Sequence, residues 1–288
     1  MTDRAITLAL GGGAAKGMAH IGVLKGVEED GFEVGAIAGT SMGSIIGAMA
    51  AQGVSAIEME GLFRAIDWVR LGRIMVRSVS GAAFHGMLRE SFGGILIEDL
   101  GVAYAAVCAD LDTGEMVVLD AGDLAEAVCA SSSIPGILPE RHLDGRRLVD
   151  GAVVEPVPVT AAKAMAVGRL LAVNVVRPPT RQERGPSIMT TMPIPVEWPS
   201  AFRRVEGWLR RQRAEDPEDE ISARVSRWES VMRSFLIMQH RLATCSRMDV
   251  PMIEPQVGQF GWFDFHRVDE IIAAGYDAYR EWVDEGAR

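Results

Sequence analysis

The sequence Gly-Thr-Ser-Met-Gly, centred on Ser41, constrains the fold more than any other feature of this chain. An apolar run over 34–38 predicts a buried strand before it, and small and apolar residues over 44–51 predict a helix after it. In this strand–turn–helix context, Gly39 and Gly43 allow the backbone to make a tight turn that presents the serine. The motif therefore predicts that Ser41 is a nucleophile, and the alternative is an ordinary glycine-rich turn.

A second glycine-rich segment, residues 11–17, precedes this motif. It follows a predicted strand over 5–10 and leads into a predicted helix over 18–30. Backbone N–H groups at such a helix start can bind a phosphate or a developing oxyanion. A Walker A loop is disfavoured because Lys16 precedes Gly17, and a dinucleotide loop because Lys16 takes the third glycine position. Nucleotide binding is therefore the weaker interpretation of this segment.

A third motif, Leu-Val-Asp-Gly-Ala, spans residues 148–152. Asp150 follows a short apolar strand and precedes a glycine, so its carboxylate can point into a cleft from a turn. The alternative is a plain Asp-Gly turn, which is a frequent surface feature.

In this order, the motifs resemble those of the patatin-like phospholipase family, in particular its compact bacterial members. The resemblance covers roughly residues 5–176. It rests on the glycine-rich loop (11–17), the helix segment Ala-His-Ile-Gly-Val-Leu (19–24), the nucleophile motif (39–43), the serine-rich segment (130–139) and the aspartate motif (150–152).

The resemblance implies an α/β fold, a patatin-like three-layer sandwich with a largely parallel central sheet flanked by helices. Alternating strand-like and helical segments agree with that fold. Further strands are predicted over 102–110, 116–120, 170–176 and 252–254, and further helices over 124–130, 157–167, 222–247 and 268–282. We predict one domain over 1–288, in which the segment 177–227 is a lid or an insertion packed on the body.

The resemblance also implies hydrolysis of a carboxylic ester through an acyl-enzyme, with a serine–aspartate dyad. Ser41 would be the nucleophile, and Asp150 would be the base, made stronger by partial burial. Amides of the glycine-rich loop would hold the oxyanion. The predicted site further comprises the oxyanion-hole residues Gly11, Gly12, Gly13 and Ala14, and the motif residues Gly39, Gly43, Gly151 and Ala152.

Two residues depart from the family pattern. Ala14 stands where many members have glycine, which restricts the loop backbone although the amide donor remains. Glu155 stands where a neutral residue, often asparagine, follows the aspartate motif. Its carboxylate is expected to add negative charge near the site.

We predict a serine esterase, or lipid acyl hydrolase, that acts on fatty-acyl esters and has phospholipids as one substrate class. Neither a cofactor nor a metal ion is expected. One alternative is a Ser–Asp–His hydrolase, with His240 or His266 completing a triad. It is disfavoured because only one strand and one helix precede the strand that leads to Ser41. The other alternative is a catalytically weak lipid-sensing or scaffold protein with the same fold.

Charge and composition limit the classes of partner and the kinds of membrane attachment that are expected for this chain. A net charge of −10 argues against nucleic acid and against wholly electrostatic attachment to anionic lipid. No apolar run approaches the roughly 20 residues of a membrane-spanning helix, and the N-terminus lacks a signal-peptide core. The 3 cysteines are scattered, as expected for free thiols in a reducing compartment. We therefore expect a cytoplasmic protein that binds a lipid or ester substrate and makes at most peripheral membrane contact.

Overall fold

A computed structural model describes residues 4–68, 82–178, 217–245 and 250–286 of the chain. Its strands are β1 (Ala5–Leu10), β2 (Glu33–Thr40), β3 (Ala103–Asp110), β4 (Met116–Leu119), β5 (Arg141–Leu143), β6 (Arg146–Asp150), β7 (Arg169–Val173) and β8 (Met252–Ile253). Its helices are α1 (Ala19–Glu29), α2 (Met42–Ala51), α3 (Ala56–Ala65), α4 (Ala82–Phe92), α5 (Leu124–Ser131), α6 (Val159–Ala164), α7 (Pro217–Cys245) and α8 (Val268–Asp284).

The strands form one sheet in the order β5-β6-β3-β2-β1-β7-β8, and β4 also pairs with β3. Neighbours from β3 through β2, β1 and β7 to β8 are parallel. The pairs of β3 with β4, β3 with β6 and β5 with β6 are antiparallel. The largely parallel sheet predicted from the sequence is therefore confirmed.

Successive strand residues point into two different cores, which makes the molecule a three-layer structure. Leu8 and Leu10 of β1 and Ile37 of β2 belong to a large core that also takes residues from α1 to α5 and α8. Ala9 and Ala38, which alternate with them, belong to a smaller core that takes residues from α6 and α7. This division follows from the two-residue period of a strand. The predicted sandwich of helices around a central sheet is confirmed.

The predicted strands and helices are present with shifted boundaries. The helix predicted over 157–167 is the shorter α6, which begins after Pro158. The helix predicted over 18–30 begins with a 3₁₀ turn, Ala14–Met18, before α1. The structure adds α3, α4 and β5, which the sequence analysis did not predict. For α3 a signal was available, because Ser55 and Glu58 form a capping box at its start.

Most of the predicted lid or insertion, residues 179–216, lies outside the described residues, so its role stays a prediction. Residues 217–227 form the beginning of α7. Within the ranges that the structure describes, no helix has the length and apolar character needed to cross a membrane.

Candidate active site

Ser41 is the single residue between the end of β2 and the beginning of α2. Its backbone angles, φ 54° and ψ −123°, are unusual for an L-residue, and such strain is concentrated at functional positions. The flanking glycines are required by contact. A β-carbon on Gly39 would lie 2.5 Å from the Gly43 carbonyl oxygen, and one on Gly43 would lie 2.1 Å from that of Leu10. The motif thus holds the serine on a turn that only glycines at these positions permit.

Sheet register brings Asp150 to the same place. Thr40 at the end of β2 pairs with Val107 of β3. The next residue of β3, Cys108, pairs with Asp150 at the end of β6. Ser41, which follows β2, and the last residue of β6 are therefore neighbours, and the serine side chain interacts with the carboxylate closely enough to lower its pKa.

Both side chains of this pair are buried, with 5% of Ser41 and 2% of Asp150 exposed. Burial raises the pKa of Asp150 from 3.8 to about 6. The polar contact with the Ser41 side chain and the hydrogen bond from the Ala152 amide, 2.8 Å from Oδ1, act in the opposite direction. The carboxylate is therefore ionised at neutral pH, yet it is a stronger base than an ordinary aspartate.

The serine-rich segment supports both members of the pair. The Ser131 hydroxyl accepts the Ser41 amide (3.0 Å) and donates to the Val107 carbonyl (2.7 Å). The Ser133 carbonyl accepts the amide of Asp150 (3.0 Å). The sequence analysis did not assign Ser131 to the site. Its only signal was the family resemblance of the segment that contains it.

The glycine-rich loop offers fewer free amides than predicted. The Gly11 amide donates to the Val173 carbonyl (3.1 Å), and the Gly12 amide donates to the Pro156 carbonyl (2.8 Å). These bonds attach the loop to the end of β7 and to the segment that follows β6. Neither amide is available to an oxyanion, which corrects the predicted set of donors.

The amides of Gly13 and Ala14 remain, since neither donates to any acceptor in the described part of the chain. The same holds for Met42, the first residue of α2. Amides at a helix start lack intrahelical acceptors and add positive potential. Met42 was missed by the sequence analysis, although the residue after the serine supplies an oxyanion donor in other Gly-x-Ser-x-Gly enzymes.

The glycine-rich loop, the turn that carries Ser41 and the aspartate motif pack against one another. A β-carbon on Gly12 would lie 3.2 Å from Cβ of Ser41 and 3.3 Å from Cβ of Ala152. One on Gly151 would lie 2.2 Å from the Val107 carbonyl oxygen. The structure thus brings the three predicted motifs together; a β-carbon on Gly12 would be tightly packed, and one on Gly151 would overlap the backbone of β3.

The two departures from the family pattern have structural consequences. Ala14 has φ 47°, a left-handed conformation that costs a non-glycine residue about 1–2 kcal/mol. Glu155 is buried, and its Oε1 accepts the Thr160 amide in the first turn of α6 (2.8 Å). Its backbone carbonyl accepts the Thr40 hydroxyl (3.1 Å). Glu155 therefore supports both α6 and the end of β2.

Within the described ranges, neither His240 nor His266 forms a hydrogen bond with Ser41 or Asp150. His240 lies on α7, and His266 lies in the 3₁₀ turn before α8. His20 is buried and contacts the glycine-rich loop instead. Across the same ranges, no three His, Cys, Asp or Glu side chains are grouped as metal ligands.

Comparison with known proteins agrees with this arrangement. The family model described as patatin-like phospholipase matches residues 8–163, which contain all three motifs. The chain belongs to the patatin-like phospholipase family. Membership confirms the resemblance found in the sequence.

Relatives of this chain occur in bacteria, animals and fungi. An uncharacterized NTE family protein of Mycobacterium tuberculosis is 32% identical over 199 residues, covering 67% of this chain and 54% of the relative. Human patatin-like phospholipase domain-containing protein 6 is 29% identical over 289 residues, covering 96% and 20%. Lysophospholipase NTE1 of Pyricularia oryzae is 28% identical over 315 residues, covering 100% and 19%. The chain thus spans about half the length of the mycobacterial relative and about a fifth of the other two.

Proposed function

We propose that this protein is a serine hydrolase that cleaves fatty-acyl carboxylic esters through an acyl-enzyme on Ser41. The observation that carries the proposal is the buried pair of Ser41 and Asp150, which the sheet register brings side by side. Family membership supports a lipid ester as substrate, with phospholipids as one class, and the name of the fungal relative favours lysophospholipids. Because such esters are held in bilayers and micelles, the proposal includes peripheral contact with a lipid surface by a cytoplasmic enzyme.

In the acylation step, Oγ of Ser41 forms a bond to the ester carbonyl carbon while its proton passes to the carboxylate of Asp150. The carbonyl oxygen becomes an oxyanion, and the free amides of Gly13, Ala14 and Met42 are the proposed donors to it. Removing one such donor typically lowers turnover by about 100- to 1,000-fold. The carbon–oxygen bond to the alcohol then breaks, and Asp150 returns the proton to the leaving alcohol.

In the deacylation step, the same carboxylate takes a proton from water, whose oxygen attacks the acyl-enzyme carbonyl. Collapse of the second oxyanion releases the fatty acid, and Asp150 returns the proton to Ser41. A pKa of about 6 suits both directions of transfer, because efficient acid–base groups titrate near the working pH.

The test combines fluorophosphonate labelling with turnover of p-nitrophenyl esters of increasing chain length, lysophosphatidylcholine and phosphatidylcholine. Wild type should be labelled at Ser41, as mapped by mass spectrometry, and should hydrolyse long-chain esters. Ser41→Ala should lose labelling and turnover while remaining folded, because a single hydroxyl on a turn contributes little to the core.

Ser132→Ala is the matched control, since Ser132 is a buried serine nearby whose hydroxyl has no partner among the described residues. It should retain labelling and most of the turnover. Labelling of Ser41→Ala at wild-type level would remove Ser41 from the mechanism. Loss of turnover in folded His240→Ala or His266→Ala would revive a triad. Absence of labelling and turnover in folded wild type, with and without lipid vesicles, would favour the scaffold alternative.

A further inference from the structure

His20 is a fully buried histidine in the first turn of α1, with 0% of its surface exposed. Its Nε2 lies 2.7 Å from the Gly11 carbonyl oxygen, and its Nδ1 has no partner in the described part of the chain. A carbonyl only accepts hydrogen bonds, so Nε2 must carry the proton. Burial lowers the pKa of His20 to about 4, so the ring stays neutral where Asp150 is ionised.

A buried nitrogen without a partner destabilises a fold, so packing alone does not account for a histidine here. An apolar side chain would fill the same space without that cost. What only a donor provides is the hydrogen bond to Gly11. The function of His20 should therefore be sought at that carbonyl.

That bond fixes one side of the peptide group that joins Gly11 and Gly12. On the other side, the Gly12 amide donates to the Pro156 carbonyl (2.8 Å). The peptide plane is thus held at both its oxygen and its nitrogen. Gly12 lies directly against the nucleophile, since a β-carbon there would be 3.2 Å from Cβ of Ser41. Holding this plane fixes the point from which the chain continues to the amides of Gly13 and Ala14.

We propose that His20 is a positioning residue for the oxyanion hole, which holds the Gly11–Gly12 peptide so that the next two amides face Ser41. This role rests on the proposed hydrolase function. It adds to the proposed active site a residue, His20, that touches neither the substrate nor the nucleophile. It predicts an effect on the transition state with little effect on substrate binding.

The test compares His20→Leu, which removes the donor, with His20→Gln, whose side-chain amide can still donate to Gly11. His20→Leu should lower kcat by about 100-fold, the loss typical of a catalytic group misplaced by about 1 Å. KM for a p-nitrophenyl ester should change much less, and His20→Gln should recover most of kcat. Val27→Ala, a truncation elsewhere in the buried face of α1, should lose stability without losing kcat.

A long-chain alkyl trifluoromethyl ketone separates positioning from general damage to the fold. It adds to the serine and places a negatively charged oxygen in the oxyanion hole, so its affinity should fall in parallel with kcat in His20→Leu. If wild type is active and both kcat and the ketone affinity are unchanged in His20→Leu, the positioning role of His20 is wrong, while the hydrolase proposal stands. Equal losses in His20→Leu and His20→Gln would also contradict it.

Amide hydrogen exchange measured by NMR tests the same contact without any turnover. In His20→Leu, the Gly12 amide should exchange at least tenfold faster than in wild type, and His20→Gln should restore its protection. If wild type proves inactive, the hydrolase proposal fails, but the contact of His20 can still be tested. Gly12 exchange that is the same in His20→Leu and wild type would then refute that contact as well. If His20→Leu does not fold, the ¹⁵N NMR spectrum of the His20 ring in wild type shows which ring nitrogen carries the proton. A proton on Nδ1 of the neutral ring would leave Nε2 without one and would contradict the hydrogen bond from Nε2 to Gly11.

Discussion

Asp150 combines two properties that oppose each other, because burial makes a carboxylate a better base but destabilises its ionised form. Its pKa rises from 3.8 to about 6. Between these values, the native chain binds more protons than the unfolded chain. The free energy of unfolding therefore falls as pH rises through this window, by about 3 kcal/mol in total. The stabilisation that protonation of Asp150 gives the native chain is fully present below pH 3.8 and is lost above pH 6.

Asp150→Asn should accordingly be more stable than wild type at pH 8, by about 1–3 kcal/mol, because a neutral amide avoids the desolvation of a charge. The two proteins should have equal stability near pH 4, where Asp150 is protonated in the native state. Urea unfolding at both pH values measures the difference, with the exposed Asp120→Asn as a control that should change neither value. A variant that is less stable than wild type at pH 8 would contradict this account.

The same titration should control catalysis with the opposite sign. Since only the carboxylate can accept the serine proton, kcat/KM for a soluble ester should fall about tenfold per pH unit below pH 6. His20 and His85 each have a pKa lowered to about 4, so neither is expected to titrate in this range. Initial rates from pH 4.5 to 8 would measure the profile. A rate that stays constant down to pH 4.5 would rule out a base with a pKa near 6.

Ser41 could be predicted from the sequence because glycines on both sides mark the turn that holds it, and the role of Asp150 was predicted from the family resemblance. Ser131 and His20 could not be assigned, since their roles depend on contacts. The bond between Ser131 and the Ser41 amide joins residues 90 positions apart. The acceptors that occupy the Gly11 and Gly12 amides are likewise far along the chain. Local sequence therefore predicts which residues a site contains better than it predicts their hydrogen-bond partners.

Helices α1 and α8 pack so closely that glycine is required on both. A β-carbon on Gly22 of α1 would lie 2.0 Å from the Ile272 carbonyl oxygen. A β-carbon on Gly275 of α8 would lie 1.9 Å from the carbonyl oxygen of Ala19, the residue before His20. The C-terminal helix therefore supports the turn of α1 that carries His20. The sequence analysis predicted both helices, but nothing local predicts which helices touch.

Gly275→Ala and Gly61→Ala make the same change in two helices and should have opposite effects. At Gly275 the new methyl group overlaps backbone, so we expect a loss of stability of about 1–3 kcal/mol or more. At Gly61 in α3 nothing lies within 4 Å of the new methyl group. There, alanine should stabilise by about 0.5–1 kcal/mol, because it restricts the unfolded chain and favours helix.

Urea unfolding of the two variants beside wild type measures both effects. A Gly275→Ala variant as stable as wild type would show that the two helices can separate without cost. Destabilisation by Gly61→Ala would mean that the space beside α3 is occupied.

Residues beyond the family match complete the central sheet and support the glycine-rich loop. That match ends at residue 163, before β7. Beyond it, β7 pairs with β1, and β8 extends the same sheet. The Trp262 carbonyl accepts the Ala15 amide (3.1 Å), which attaches the C-terminal part to the residue after the free amides of the glycine-rich loop. The sequence motifs therefore contain the residues of the proposed chemistry, while residues far beyond them hold the loop in place.

A fragment ending at residue 178 tests whether the motif-bearing part is a folding unit. It keeps Ser41, Asp150 and the whole family match, but it loses α8 and the contact from Trp262. Without α8, the face of α1 that packs against Tyr279 and Ile272 is exposed to water. We therefore expect the fragment to lack cooperative urea unfolding and to resist labelling by a fluorophosphonate.

The full chain should instead unfold in one transition that coincides by tryptophan fluorescence and circular dichroism, as a single cooperative domain requires. Two separated transitions would divide the chain into domains. A folded and labelled fragment would show that residues 179–288 are accessory to the active site. A fragment that folds but is not labelled would instead place the support of the oxyanion loop in the C-terminal residues, because the fragment contains every residue to which we assign chemistry.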